Sequence, residues 1–252
     1  MDLELSGTRV LVTGGTRGIG RTVVEAFLAE GAQVAFCARN PDAVAATQQA
    51  LTERGTVSGA TVDVGDAEAL AGWVEKSADS FGGLDVVVAN VSALAIPDTE
   101  ENWQASLNVD LMHTVRLVRA AMPHLQRSGA ASIIAISSVS GRESDFASGP
   151  YGTAKTAIIG YIHGLAMQLA HQGIRANTVS PGNTYFEGGV WDNIETGDPD
   201  LFKTAIELNP SGHMGTPEEV AAPVVFLASP LARRISGTNL VVDGALTRGI
   251  QL

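Results

Sequence analysis

Tyr151 and Lys155 stand four residues apart in a stretch whose pattern predicts a helix over 149–171. At that spacing their side chains leave the same helix face one turn apart, which sets a cation beside a phenol. A free tyrosine ionises at about pH 10, too high for easy proton exchange near neutrality, and a neighbouring ammonium favours the phenolate. The pair can act as a general acid or base. Ser138, at the end of a predicted strand 131–137, adds a hydroxyl able to hold a carbonyl oxygen. Taken bare, a tyrosine and lysine at this spacing equally describe an ordinary surface pair, and Ser137-Ser138 an ordinary strand end.

A second constellation lies near the amino terminus, where Thr13-Gly14-Gly15-Thr16-Arg17-Gly18-Ile19-Gly20 follows a predicted strand and opens a predicted helix. Gly14 permits a tight turn, and Gly18 and Gly20 permit close approach of backbone and helix to a pyrophosphate. The free N–H groups at the helix start then form an anion site. A tight turn without a ligand is the competing reading.

Both constellations need a frame. Short β-rich runs at 9–13, 33–37, 56–62, 85–89, 131–137, 175–180 and 239–243 alternate with helical patterns at 18–30, 41–53, 66–80, 99–127, 149–171 and 217–228. The strands are nearly continuous apolar runs, as in parallel sheets covered on both faces. The expected fold is α/β: a doubly wound, Rossmann-type parallel sheet of about seven strands in a single domain spanning 1–252. The stretch 183–212, rich in Gly, Asn and Asp but carrying Phe186, Trp191 and Phe202, is long for a connection and is expected to be a substrate lid.

In order and spacing, TGGTRGIG, the serine pair, Tyr151-Gly152-Thr153-Ala154-Lys155 and Pro181-Gly182 resemble the single-domain branch of the short-chain dehydrogenases/reductases, including its 3-oxoacyl-carrier-protein reductases. The resemblance runs from Leu5 to about Gly244. It implies Tyr151 as proton donor, Lys155 as its activator and a ligand of the nicotinamide ribose, and Ser138 as the group that steadies the carbonyl. It also implies Asn108 as the asparagine of a water-linked proton path. Cofactor contacts are implied for Gly14, Thr16, Arg17, Gly18, Ile19 and Gly20, for Asp63 and Val64 beside the adenine, and for Asn90, Pro181, Gly182 and Thr184. The chain departs from the family at Ala89-Asn90-Val91-Ser92, where Asn-Asn-Ala-Gly is usual. It departs again at Phe186, where many members carry threonine, so Thr184 is expected to take over that contact.

Cofactor choice is expected at Cys37-Ala38-Arg39-Asn40. Alanine stands where NAD users have aspartate, and Arg39 beside it can grip a 2′-phosphate, with Arg17 as a second cation. NADPH is the implied cofactor. A net charge of −11 argues against nucleic acid and anionic membrane surfaces as partners, and against an acidic acyl carrier protein. Only Arg116, Arg119 and Arg127 offer an offsetting patch. The expected substrate is a free, mainly apolar, small carbonyl compound, with a carrier-bound 3-oxoacyl thioester as the alternative. A non-catalytic cofactor sensor is the reading from another class, and it leaves the proton donor without a purpose. The scattered histidines predict no metal site. Cys37 reads as core, cytosolic residence is the default, and the helices at 99–127 and 149–171, apolar on more than one face, predict a homotetramer.

Overall fold

The computed structural model describes residues 2–250. Its seven strands, β1 (Arg9–Thr13), β2 (Gln33–Ala38), β3 (Val57–Thr61), β4 (Val86–Ala89), β5 (Ser132–Ile136), β6 (Arg175–Pro181) and β7 (Asn239–Val242), form one sheet in the order β3-β2-β1-β4-β5-β6-β7. Every neighbouring pair is parallel. Helices α1 (Gly18–Ala29), α2 (Pro41–Leu51), α3 (Ala67–Phe81), α4 (Glu100–Ala105), α5 (His113–Leu125), α6 (Pro150–Leu169), α7 (Val190–Gly197), α8 (Pro199–Leu208) and α9 (Pro217–Ala228) connect them.

Alternate strand residues feed two cores. On one face Val10, Val12, Val34, Phe36, Val86 and Val88 pack with Phe27 of α1 and Val224 of α9. On the other, Leu11, Ala35 and Val87 meet Leu70 of α3, Leu117 of α5 and Ile158 of α6. Cys37 belongs to this second core, where burial pushes its thiol up to about 12 and leaves it inert. Local chemistry sets the helix starts. Asn40 caps α2 by accepting from Asp42 N and Ala43 N, with Pro41 in the first turn, and Thr216 with Glu219 forms a capping box on α9. Gly82, at φ 73°, ends α3 in the left-handed conformation.

Two elements differ from the sequence expectation. The helix at 99–127 is interrupted: between α4 and α5, residues Ser106–Met112 wind as a π-helix. Its i→i+5 bonding turns every following side chain relative to a regular helix. The stretch 183–212 holds two helices, α7 and α8, over a small core of Trp191, Ala205 and Met214. Its Gly, Asn and Asp content masked them, although Asp198 caps α8 and Pro199 opens it.

The strand order reverses between β1 and β4, whose following helices cover opposite faces. The crevice beyond their carboxyl ends is where this fold places a ligand.

Candidate active site

Pro150, in the first turn of α6 where a missing N–H costs nothing, puts Tyr151 at the helix start and Lys155 one turn on. Lys155 is almost fully buried, with 2% of its surface exposed. Its Nζ donates to Ile136 O at 3.1 Å, lies 3.1 Å from Asp110 Oδ1, and stands 5.5 Å from the centroid of the Tyr151 ring. Ser138 follows β5 and caps the short turn Val139–Gly141, its Oγ accepting from Ser140 N at 3.2 Å. The hydroxyl hydrogen is free to be donated toward a carbonyl. Two glycines hold that turn against α6. A Cβ on Gly141 would lie 2.8 Å from the Lys155 carbonyl carbon, and one on Gly152 2.8 Å from Ser140 O. Ser137 Oγ, donating to Lys155 O at 2.9 Å, fastens the same seam.

Asn108 does not reach this group. It is exposed, its Nδ2 points to Gly65 O at 3.4 Å, and its Oδ1 accepts from Arg116 Nη1 at 2.7 Å. The π-helical segment turns it outward and turns Asp110 inward, fully buried against Lys155. The expectation that Asn108 serves the lysine is therefore corrected: the side chain that faces Lys155 from this helix is Asp110. A signal existed in the sequence, since Ser106, Asp110 and Thr114 recur at helical spacing among apolar neighbours, and all are buried. Trp103 is not on that face either. Its indole donates to Asp98 Oδ1, and Leu107 is exposed.

His113 was also missed. Its buried ring lies 3.0 Å from Val109 O through Nδ1 and 3.0 Å from Thr13 Oγ1 through Nε2. A carbonyl only accepts, so Nδ1 carries the hydrogen and Nε2 accepts from the threonine. Thr13 Oγ1 in turn accepts from Asn90 N at 3.0 Å, and Asn90 Nδ2 donates to Thr13 O at 3.0 Å. Asn90 thus braces the glycine-rich turn with its side chain. A Cβ on Gly14, at φ 73°, would meet that amide at 2.9 Å, and one on Gly20 would meet Gly14 O.

The turn suits a pyrophosphate. Gly18 opens α1 at φ 50°, the preceding Arg17 makes no side-chain cap, and the first turn holds no acidic residue. The amide hydrogens at the helix start therefore have no carboxylate competing for them. Thr16 and Ile19 flank this opening, both partly exposed. Arg39 is exposed just past β2, with no ion pair to another described residue. Past β3, Asp63 is exposed with its carboxylate accepting from Gly65 N, and Val64 is buried. Pro181 ends β6, Gly182 packs against Asp243, and the Thr184 hydroxyl donates to Gly182 O at 3.1 Å.

Residues of 183–212 pack on this edge. Phe186 lies so close to Gly18 that a Cβ there would meet its ring at 2.5 Å, and Arg17 Nη1 donates to Gly188 O at 3.0 Å. Trp191 stands edge-on to Phe146, ring centroids 5.7 Å apart, and Phe146 is 53% exposed. The acidic groups of the loop before α6 are engaged internally, Asp145 with Ser140 and Ala147, and Glu143 with Gly249 N.

Residues 14–247 match the family described as enoyl-(acyl carrier protein) reductase. The chain is 40% identical to isoepoxydon dehydrogenase of Penicillium expansum, over 98% of this chain and 97% of that one. It is 33% identical to the 3-oxoacyl-[acyl-carrier-protein] reductase of Chlamydia pneumoniae, over 98% and 100%. In structure it is similar to L-sorbose reductase from Gluconobacter frateurii, complexed with NADPH and L-sorbose, with a TM-score of 0.92 at 27% identity over 99% and 100% of the two chains.

The buried imidazole makes stability depend on pH. Burial first, and the Lys155 charge in addition, hold His113 down to about 4, against an unfolded value of about 6.5. Its contribution is complete above about pH 6.5 and is lost as pH falls toward 4, because the unfolded chain binds the proton first. The loss amounts to roughly 3 kcal/mol. Urea unfolding of wild type and His113→Gln at pH 7, 5.5 and 4 should show the wild type losing its advantage across this window. Parallel pH dependences would reject the neutral buried imidazole.

Proposed function

The chain belongs to the short-chain dehydrogenases/reductases, and on that footing we propose that it reduces a free small carbonyl compound to the alcohol, reversibly, with NADPH. The observation that carries the reading is the buried Lys155 ammonium held against Tyr151, beside a Ser138 hydroxyl whose hydrogen is unused. The cofactor supplies the hydride. Ser138 donates to the carbonyl oxygen, Tyr151 hands that oxygen its proton, and Lys155 holds the phenol and the sugar beside the nicotinamide. Gly14, Gly18 and Gly20 with the open start of α1 receive the pyrophosphate, Pro181, Gly182 and Thr184 border the nicotinamide, and Asp63 and Val64 border the adenine. A sensor would have no use for a desolvated lysine beside a phenol.

A free substrate is favoured over a carrier-bound one. Of the three arginines that could greet an acidic carrier, Arg116 is bonded to Asn108 and Gly65, and Arg127 to His124. The L-sorbose of the structural relative is a free sugar, and the sequence relatives include an isoepoxydon dehydrogenase. Phe146, backed by the buried Trp191, offers such a substrate an apolar surface. The similarity to a 3-oxoacyl-carrier-protein reductase sustains the second reading, reduction of a carrier-bound 3-oxoacyl thioester.

We place the protein in the cytoplasm, in keeping with a single buried thiol; among the described residues no helix is long and apolar enough to cross a membrane. A homotetramer through α4, α5, α6 and the π-helical segment is supported by Leu107 in that segment and Met167 on α6, exposed at 42% and 78%. Sedimentation at micromolar concentration is expected to give four subunits, and a monomer would sink that assembly.

Purified protein with NADPH should reduce members of a panel of free ketones, aldehydes and ketoses with better catalytic efficiency than acyl-carrier thioesters. The reverse ranking would transfer the function to the second reading. Tyr151→Phe should bind cofactor within a few-fold of wild type and lose about 10²–10⁴-fold in turnover. A variant that keeps most of its turnover would reject Tyr151 as the donor.

Arg39 tests the choice of cofactor. With no aspartate at Ala38 and a free guanidinium next to it, Arg39→Ala should weaken NADPH binding by roughly 1.5–3 kcal/mol and leave NADH nearly unchanged. Equal losses for the two cofactors would show that the 2′-phosphate is not read there.

A further inference from the structure

Asp110 has two carboxylate oxygens with different surroundings. Oδ2 accepts from Ala93 N at 3.0 Å, which fixes the loop after β4. Oδ1 is buried, accepts no hydrogen bond from any described residue, and faces Lys155 Nζ at 3.1 Å. Bracing the loop needs a single acceptor, which a neutral amide would provide. A carboxylate with none of its surface exposed is costly unless a cation repays its lost hydration, and here that cation is Lys155.

We propose that Asp110 is the counter-ion of Lys155, a positioning residue that holds the ammonium against the Tyr151 ring and offsets its field at the phenol. The inference rests on the reading of Tyr151 as proton donor and says how that donor is tuned: the phenol faces a paired lysine, not a lone cation. The other groups around the pair leave this balance intact. His113, on the turn after Asp110, is held to about 4 by burial and is neutral in the working range. Arg116 is turned outward onto Asn108 Oδ1 and Gly65 O. From β5, the group reaching Lys155 is the uncharged carbonyl of Ile136.

The test removes the charge and keeps the acceptor. Asp110→Asn preserves a partner for Ala93 N, and Asp110→Ser is a second neutral variant. Tyrosinate absorbance of the cofactor-free protein is titrated against pH, and the difference from Tyr151→Phe on each background isolates the one phenol. Burial raises Tyr161, and bonds to Glu195 and Asp192 raise Tyr185; both contribute equally with and without Tyr151 and cancel in the difference.

With the carboxylate gone the lysine acts on the phenol unopposed. A charge roughly 8 Å away at an effective dielectric of about 20 moves a titration by about 1.5 pH units. In both variants the Tyr151 phenol is expected to ionise about 1.5 units lower than in wild type, and the pH midpoints of reduction and oxidation should fall by the same amount. A merely structural Asp110 would change melting temperature and leave these midpoints alone. Midpoints unchanged or raised would overturn the proposal. So would failure of both variants to fold, since the Asn variant retains the Ala93 bond. If no carbonyl compound is turned over, the proposed function falls, while the absorbance titration still decides this inference.

Discussion

A lysine ammonium held out of water sets the terms for the whole active centre. Lys155 lies at the meeting of α6, the end of β5 and the π-helical segment, and each contributes one oxygen or π-face to it: Tyr151, Ile136 O and Asp110. Desolvating an ammonium without such partners costs several kcal/mol, which is why the surrounding backbone is so constrained. Gly141 and Gly152 are the contact points that let the Ser138 turn lie against α6. Ser137 and Thr156 then bond across the seam, to Lys155 O and Gly141 O.

A chain of bonds joins this charge to the cofactor side. Val109 O, His113, Thr13 and Asn90 link the π-helical segment to the ends of β1 and β4. Asn90 then supports the two glycines whose missing side chains make room for it. Burial keeps the imidazole neutral, and with Nδ1 donating to Val109 O its Nε2 accepts from Thr13. The π-helical segment and the glycine-rich turn, far apart in sequence, are thereby held together. Ala89 stands where the family usually has the first of its two asparagines and is buried in the core, so Asn90 alone carries the bracing.

The sheet, its order of elements and most helix starts were legible in the sequence because they rest on local chemistry. Apolar runs of strand length, Asn40 with Pro41, and Thr216 with Glu219 each act within a few residues. Tyr151, Lys155 and Ser138 were legible for a similar reason: the first two share a helix face and the third ends a strand. What escaped depended on phase and on tertiary contact. Asn108 is exposed while Asp110 shares the buried face of Ser106 and Thr114, a pattern that the sequence carried but that the family resemblance overrode. His113 owes its behaviour to burial and to Thr13, a residue 100 positions away. The lid helices hid behind turn-forming residues because their stability comes from the small core of Trp191, Ala205 and Met214.

The stretch 183–212 also bears on the glycine-rich turn. Arg17 sits exposed at the glycine turn and reaches Gly188 O, so one side chain can serve the phosphate edge and the lid together. Phe186, where threonine is usual, exchanges a hydroxyl for a ring laid on Gly18, the residue that opens α1. An apolar ring at that point lowers the local dielectric beside the helix start, which strengthens whatever its amide hydrogens bond. Thr184 keeps a hydroxyl close by, and by donating it to Gly182 O it fastens the backbone that follows β6.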